Sequence, residues 1–119
     1  MKRLIFSLLL FSVFPFMIPA QTVSGVALED IDAEYLSISG SRVFGGPLRL
    51  IVDFGQSLEN QENSRFRRLV LGDDGKPLPF NSLMDGLNLM HKYGYELVES
   101  DVFAGDNPYT VLYLRKIRE

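Results

Sequence analysis

Residues 82–98 read SLMDGLNLMHKYGYELV, and this stretch decides the fold. Ser82 and Asp85 have the spacing of a capping box, which predicts that a helix begins here. The predicted apolar face of this helix consists of Leu83, Leu87 and Met90, widened by Met84. Gly94 supplies a left-handed stop, and a strand pattern follows it. The stretch therefore predicts a helix that packs on a sheet and leads directly into a strand.

Four main strands are predicted, two before this helix and two after it. Alternating apolar and polar residues indicate the first two strands at residues 34–44 and 48–54, joined by a Gly-Gly-Pro turn at 45–47. Residues 95–103 and 109–117 predict the third and fourth. The residues expected on the core face of the first pair are Leu36, Ile38, Phe44, Leu48, Leu50, Val52 and Phe54.

These elements predict an α+β fold with a two-layer ββαββ arrangement. One helix covers one face of a four-stranded, mainly antiparallel sheet, and a minor hairpin around the Asp-Gly turn at residues 73–76 precedes the helix. If all main pairings are antiparallel and the helical crossover is right-handed, the simplest strand order is 1-2-4-3. The first strand would then lie at an edge of the sheet.

Residues 1–20 have the pattern of a secretory signal peptide. Lys2 and Arg3 precede an apolar run, and Pro19-Ala20 resembles a cleavage site. A spanning helix needs about 20 apolar residues, and Pro15 interrupts this shorter run. We therefore expect cleavage after Ala20, with no membrane span left in the mature protein. Residues 21–32 are predicted to be an N-terminal lead-in and residues 33–119 a single α+β domain.

The amino-acid composition limits the cellular compartments and the functional classes to be expected for this chain. The chain has no cysteine, which excludes disulfides, a lipoprotein anchor, thiol nucleophiles and zinc–thiolate sites. Without Lys2 and Arg3, ten cations stand against fifteen acidic residues, a net charge of −5. Because a nucleic-acid binder needs a basic stripe to neutralise phosphates, nucleic acid is not an expected partner. We expect a periplasmic or secreted protein, and the lack of disulfides favours the periplasm.

Residues 87–98, LNLMHKYGYELV, resemble a motif of small exported bacterial domains of unknown function. In those domains a helix ends at Gly-Trp or Gly-Tyr and the chain continues as Glu-Leu-Val. They also share an Asp-Gly-Lys turn and a Val-Asp-Phe-Gly-Gln strand end, which match residues 73–76 and 52–56 here. Tyr95 stands where many of them carry Trp. The resemblance implies the ββαββ order and export, and it implies no activity, cofactor or catalytic residue.

The catalytic and metal-ligating patterns are weak, so we assign no catalytic, cofactor-binding or metal-binding residue and disfavour an enzyme. His91 is the only histidine, and we interpret it as an exposed helix-end residue rather than a lone general base. Glu99 and Asp101 would share one face of the third strand. They could form a pair of carboxylates for hydrolysis, but the simpler interpretation is that they are charges that protect a sheet edge from unwanted strand pairing. Four acidic residues near the N-terminus could bind calcium through their carboxylates, but the sequence around them does not have the pattern of an EF-hand loop. These residues are Glu29, Asp30, Asp32 and Glu34.

The candidate interface lies on the sheet. Serines of the first strand, at the predicted edge, suggest pairing with a partner strand, and apolar residues are expected together on the face opposite the helix. The residues concerned are Tyr35, Ser37, Ser39, Ser41, Ile51 and Tyr113, with Val111 beside them. A candidate basic patch at Arg65, Arg67 and Arg68 suggests docking of an acidic partner or of lipid headgroups, or merely a solubilising stretch.

Two functional hypotheses follow from these patterns. The first is a non-catalytic binding or accessory module of the cell envelope, whose partner is an envelope protein or a second copy of the chain. The alternative is a small-ligand binder or hydrolase with a pocket between the sheet and the 56–80 loop. That pocket would hold Tyr95, Glu99 or Arg67.

Overall fold

The computed structural model describes residues 21–42, 44–57 and 67–118. These residues form one α-helix, one short 3₁₀ helix and two antiparallel sheets of three and five strands. The α+β class is confirmed, whereas the size and the order of the sheets differ from the prediction. The strands are β1 (Thr22–Val23), β2 (Val26–Ala27), β3 (Tyr35–Arg42), β4 (Leu48–Asp53), β5 (Val70–Leu71), β6 (Pro79–Phe80), β7 (Tyr95–Phe103) and β8 (Tyr109–Lys116). The 3₁₀ helix is Leu28–Asp30 and the α-helix, α1, is Leu83–Lys92.

The helix begins and ends where the sequence predicts. The Ser82 hydroxyl accepts a hydrogen bond from the backbone N–H of Asp85 at 3.3 Å, which satisfies one of the free donors of the first turn. The Asp85 carboxylate in turn accepts from the N–H of Asn81 at 3.2 Å, one residue before the usual capping-box partner. At the other end Gly94 has a φ of 90°, a conformation that glycine adopts without strain.

The packed face of α1 is centred on Gly86 and Met90, both of which are buried. A Cβ at Gly86 would lie 2.5 Å from Cδ1 of Leu50, so the helix approaches the sheet at a point that has no room for a side chain. Met84 is 59 % exposed, and the prediction that it widens the apolar stripe is wrong. Two residues of helix turn it about 200° away from Gly86, onto the solvent side.

The large sheet has the order β6-β4-β3-β8-β7, with every pairing antiparallel. In terms of the four predicted strands the order is 2-1-4-3, so the predicted order 1-2-4-3 is wrong. The chain that follows β4 returns along its outer edge, where Arg49 pairs with Pro79 and the N–H of Val52 donates to the Arg68 carbonyl at 2.8 Å. Because this edge is occupied, β8 pairs with the free side of β3 and makes it a central strand.

The predicted core face of the first two strands is largely confirmed. Five of its residues are buried: Leu36, Ile38, Leu48, Leu50 and Val52. Phe54 packs against them while partly buried. Phe44 is fully exposed, and its prediction as a core residue is wrong. It lies beyond the end of β3, in the turn that leads to β4, where strand alternation no longer fixes the direction of a side chain.

The segment predicted as a lead-in, residues 21–32, contributes to the core. Its strands join a small sheet of order β2-β1-β5, in which Val23 pairs with Val70. Val23, Leu28 and Ile31 are buried in the same cluster as the core residues of the large sheet. The segment therefore adds apolar cover to a domain that has no disulfide.

Tyr95 holds this segment to the start of β7. Its side chain is 1 % exposed, and its hydroxyl donates to the carbonyl of Ala33 at 2.7 Å and lies 3.4 Å from that of Ile31. The Nζ of Lys116 lies 5.9 Å from the ring centroid and donates to the Ile31 carbonyl at 3.2 Å. One side chain thus joins the end of the helix, the last strand and the N-terminal segment.

The burial of Tyr95 predicts a loss of stability in alkali. Burial, and to a smaller extent the charge of Asp32, raise the pKa of Tyr95 above its ordinary value of 10.0. A tyrosine whose pKa is higher in the folded than in the unfolded protein favours the folded state as long as its phenol is protonated. This contribution is complete below the pKa of the unfolded state and is lost as the pH rises through the pKa of the folded state. We therefore expect the free energy of unfolding to fall above pH about 10, and less steeply in Tyr95→Phe.

Urea titrations between pH 8 and pH 11 measure this effect. Tyr109→Phe, on the exposed hairpin, is the matched control for the loss of a tyrosine hydroxyl. Equal slopes for wild type and Tyr95→Phe would contradict the assignment of this pH dependence to Tyr95.

Candidate binding surface

The predicted edge strand is not an edge. On β3, Ser37 pairs with Asp53 and Tyr113, and Ser39 pairs with Ile51 and Val111. Both serines therefore have neighbours on either side, and the hypothesis of a partner strand added at these serines is wrong. Ser41 pairs with Arg49 of β4 alone, because the pairing between β3 and β8 ends at Ser39.

The register nevertheless places the candidate interface residues together on one face of the sheet. This face, which we call the open face, is the one opposite the buried side chains that contact α1. Its central rows contain Tyr35 beside Arg115, Tyr113 between Ser37 and Glu99, and Val111 between Ser39 and Asp101, with Ile51 next to Ser39. Tyr35 is 58 % exposed, and Ser37, Ser39, Ile51 and Tyr113 are half-buried. The side chains of the open face thus form one layer on the sheet, and this layer faces solvent.

Arg115 stands between an aromatic ring and a carboxylate on this open face. Its Nη2 lies 3.4 Å from Oε1 of Glu96 on the neighbouring strand. Hydrogen bonds to Glu96 and then to Tyr35 raise the pKa of Arg115, which stays charged. Both ends of the ion pair are about half exposed, so the pair orders the surface but adds little to stability.

Tyr113 lies on the acidic side of the open face. Partial desolvation, followed by the charge of Asp101, a hydrogen bond to it and the charge of Glu99, raises the pKa of the Tyr113 phenol. The phenol is therefore a donor at neutral pH. Glu99 is directly opposite Tyr113 in the β7–β8 register, and Asp101 is opposite Val111.

Among the strands that the structure describes, the large sheet ends beyond β8 at β7, which is a free edge. It is exposed from Leu97 to Phe103, which agrees with the interpretation of its carboxylates as edge charges. A bulge between Leu97 and Glu99 interrupts its pairing with β8. At the far end the rings of Phe103 and Tyr109 stack, with centroids 4.9 Å apart and an interplanar angle of 12°.

The β7–β8 hairpin extends beyond β3 and exposes apolar side chains on both faces. The pairs of Val102 with Thr110 and Phe103 with Tyr109 lie past the last pair of β3 with β8. Val102, on the face opposite the open face, is 72 % exposed, and Phe103 and Tyr109, on the open face, are 43 % and 50 % exposed. Sequence reasoning missed this hairpin as a surface, although the alternation of Glu99, Asp101 and Phe103 with Ser100 and Val102 is visible in the sequence.

The basic patch is only partly described. Arg65 lies outside the described residues. Arg67 is half-buried, and its carbonyl accepts a hydrogen bond from the Ser24 hydroxyl. Arg68 is exposed, while its carbonyl is used by Val52. Within the described part of the chain, Arg68 is thus the only one of the three whose side chain stands in solvent.

The other sequence candidates do not converge on a chemical site. His91 is exposed. Among the described residues, no group of three acidic or histidine side chains is placed to hold a metal ion. Of the N-terminal acidic residues, Glu34 pairs with Arg118 at 2.9 Å. No helix in residues 21–42, 44–57 and 67–118 has the length and apolar character needed to cross a membrane.

The clefts of the described surface are shallow, and the one at the end of the large sheet has a charged lining. One cleft of about 290 Å³ lies at the end of the sheet. Its lining residues are Glu34, Glu96, Arg115, Lys116, Ile117 and Arg118. The ligand hypothesis placed its pocket between the sheet and the 56–80 loop, of which residues 58–66 lie outside the described residues. Tyr95, which that hypothesis placed in the pocket, is buried and its hydroxyl is already bonded.

Comparison of the chain with protein-family models, with curated proteins and with solved structures found no match.

Proposed function

We propose that this chain is an exported, non-catalytic binding module of the bacterial cell envelope, which docks another protein through the β7–β8 hairpin and the adjoining open face. The observation that carries the proposal is the exposed edge of β7, with apolar side chains of the hairpin standing in solvent on both sides of it. Exposed apolar side chains gathered at one place mark interaction surfaces. Unpaired backbone groups at a sheet edge offer hydrogen bonds to an added strand.

The open face supplies the polar part of such an interface. Tyr35, Tyr113 and Tyr109 combine ring area with a hydroxyl that bonds to a partner, the property that enriches tyrosine at protein interfaces. Arg115 is held in place by Glu96 before any partner arrives. An ordered side chain loses less conformational entropy on binding, which favours association.

Binding is tested with the full chain, tagged at its C-terminus, expressed in its own host and crosslinked in the envelope. Mass spectrometry of the purified adducts is expected to show one dominant partner. A chain recovered only as an uncrosslinked monomer would contradict the proposal. That result would turn attention to the small-ligand alternative, which is then tested by ligand-induced shifts of the melting temperature.

Export is tested by Leu9→Arg, which places a charge in the middle of the apolar run of the leader. A central arginine costs about 2.5–3.5 kcal/mol on insertion scales, so we expect the precursor to accumulate unprocessed in the cytoplasm. Fractionation and the mass of the N-terminal peptide measure this, with Leu9→Ile as the control. Equal processing of the two variants would contradict a role of the apolar run in export, and a wild-type chain that keeps residue 1 would contradict cleavage after Ala20.

A further inference from the structure

The free edge of β7 has one regular segment that is suited to strand addition. The bulge between Leu97 and Glu99 breaks the ladder, whereas the pairs from Glu99 to Phe103 with β8 are consecutive. Bulges and charges are two means by which edge strands avoid unwanted pairing. The bulge therefore confines an added strand to residues 99–103, and the charges within this segment select which strand is accepted.

The two faces of this segment differ in chemistry. Glu99, Asp101 and Phe103 lie on the open face, opposite Tyr113, Val111 and Tyr109 of β8. Ser100 and Val102 lie on the other face. Glu96 is neutralised by Arg115, whereas Glu99 and Asp101 have no cationic partner among the described residues. Two uncompensated carboxylates thus alternate along the exposed edge.

We infer, on the basis of the proposed function, that the β7 edge recognises an extended segment of another protein in which Lys or Arg occupies alternate positions. Residues opposite each other on neighbouring antiparallel strands have Cβ atoms about 4.5–5.5 Å apart. Cations opposite Glu99 and Asp101 would complete the two missing ion pairs. An apolar residue would face Phe103, and small or apolar residues would face Ser100 and Val102.

The same charges exclude a second copy of the chain as the occupant. An antiparallel alignment of two β7 strands centred on Ser100 places Glu99 opposite Asp101, and one centred on Asp101 places two Asp101 carboxylates together. Like charges directly opposite each other destabilise a strand pair. The net charge of −5 without the leader adds repulsion between copies. The edge is therefore selective for a basic strand.

The test uses two disulfide-cyclised β-hairpin peptides that differ only in the free strand, Val-Val-Lys-Val-Lys in one and Val-Val-Glu-Val-Glu in the other. The protein has no cysteine that could exchange with their disulfide. Fluorescence anisotropy with the purified full chain is expected to show about tenfold tighter binding of the lysine peptide. This preference is expected to fade at 1 M salt, where the Debye length is about 3 Å.

Charge reversal identifies the residues responsible. The variant Glu99→Lys with Asp101→Lys is expected to prefer the glutamate peptide. The matched control, Glu29→Lys with Asp30→Lys, makes the same change of net charge at two exposed residues of the 3₁₀ helix and is expected to keep the preference for lysine. Circular dichroism and melting temperatures confirm that each variant is folded.

Three results would overturn the inference: binding of neither peptide, equal binding of both, or an unchanged preference in the Glu99→Lys/Asp101→Lys variant. Envelope crosslinking separates this failure from that of the proposed function. If the charge-reversed variant captures the same envelope partner as wild type, a partner exists but the basic-strand inference is wrong. If wild type captures no partner, the proposed function itself is wrong.

Discussion

Ser39→Pro is expected to destabilise the domain by about 3 kcal/mol or more, enough to unfold much of it at 37 °C. Ser39 lies in the middle of the sheet, with Ile51 on one side and Val111 on the other. Proline has no N–H to donate to the ladder, and its ring does not fit between two paired strands. The loss leaves a carbonyl of a neighbouring strand without its donor, which adds a desolvation cost.

Urea denaturation followed by far-ultraviolet circular dichroism measures this change. Ser39→Ala is the control, because it keeps the backbone donor and removes only a half-buried hydroxyl, and we expect a change below about 1 kcal/mol. A Ser39→Pro variant with the wild-type urea midpoint would contradict the central position of β3. It would favour the alternative order, in which the first strand is an edge.

Tyr95→Ala is expected to cost about 3–5 kcal/mol, the range for removing a large buried aromatic side chain. The ring is almost fully buried and lies against Lys116, and its hydroxyl is bonded to the carbonyl of Ala33. Its removal opens a cavity and releases the N-terminal segment at the same point. Tyr95→Phe keeps the ring and loses the hydrogen bond, and about 1–2 kcal/mol is expected.

Thermal and urea unfolding of the two variants separate packing from hydrogen bonding at this position. Tyr109→Ala, on the projecting hairpin, is the matched control with half its side chain in solvent and is expected to cost less than about 1 kcal/mol. Similar losses for Tyr95→Ala and Tyr109→Ala would contradict the central role of Tyr95. Proteolysis near residue 33 in Tyr95→Ala alone would locate the released segment.

Local sequence patterns predicted the helices and strands that are long enough to show a regular repeat of apolar and polar residues. The helix at 83–92 and the strand at 95–103 were found because capping residues, the glycine stop and alternation all act within a few residues. The strand order could not be found in this way. The order depends on residues 68 and 79, which return to the edge of β4 and pair there. A two-residue strand such as β6 is too short to show an alternation of apolar and polar residues.

The candidate binding surface was predicted in part, for a similar reason. Alternation placed Tyr35 and Tyr113 on the face opposite the helix, because side chains of a strand point to opposite faces in turn. Which strands are edges depends on the order of the strands. The predicted order made both β3 and β7 edges, whereas in the structure β7 is still an edge and β3 is central. The role of Tyr95 could not be predicted from local patterns. Its hydroxyl donates a hydrogen bond to the carbonyl of Ala33, a residue far away in the sequence.

The most direct test of the binding proposal is a photo-crosslinking amino acid placed at Val102, compared with the same group at Asp74. Both side chains are exposed, but Val102 lies on the free edge and Asp74 lies in the turn before α1. With the full chain in the envelope of its host, we predict one strong adduct from position 102 and none from position 74. No adduct from position 102, or the same adducts from both positions, would contradict a docking surface on the β7–β8 hairpin.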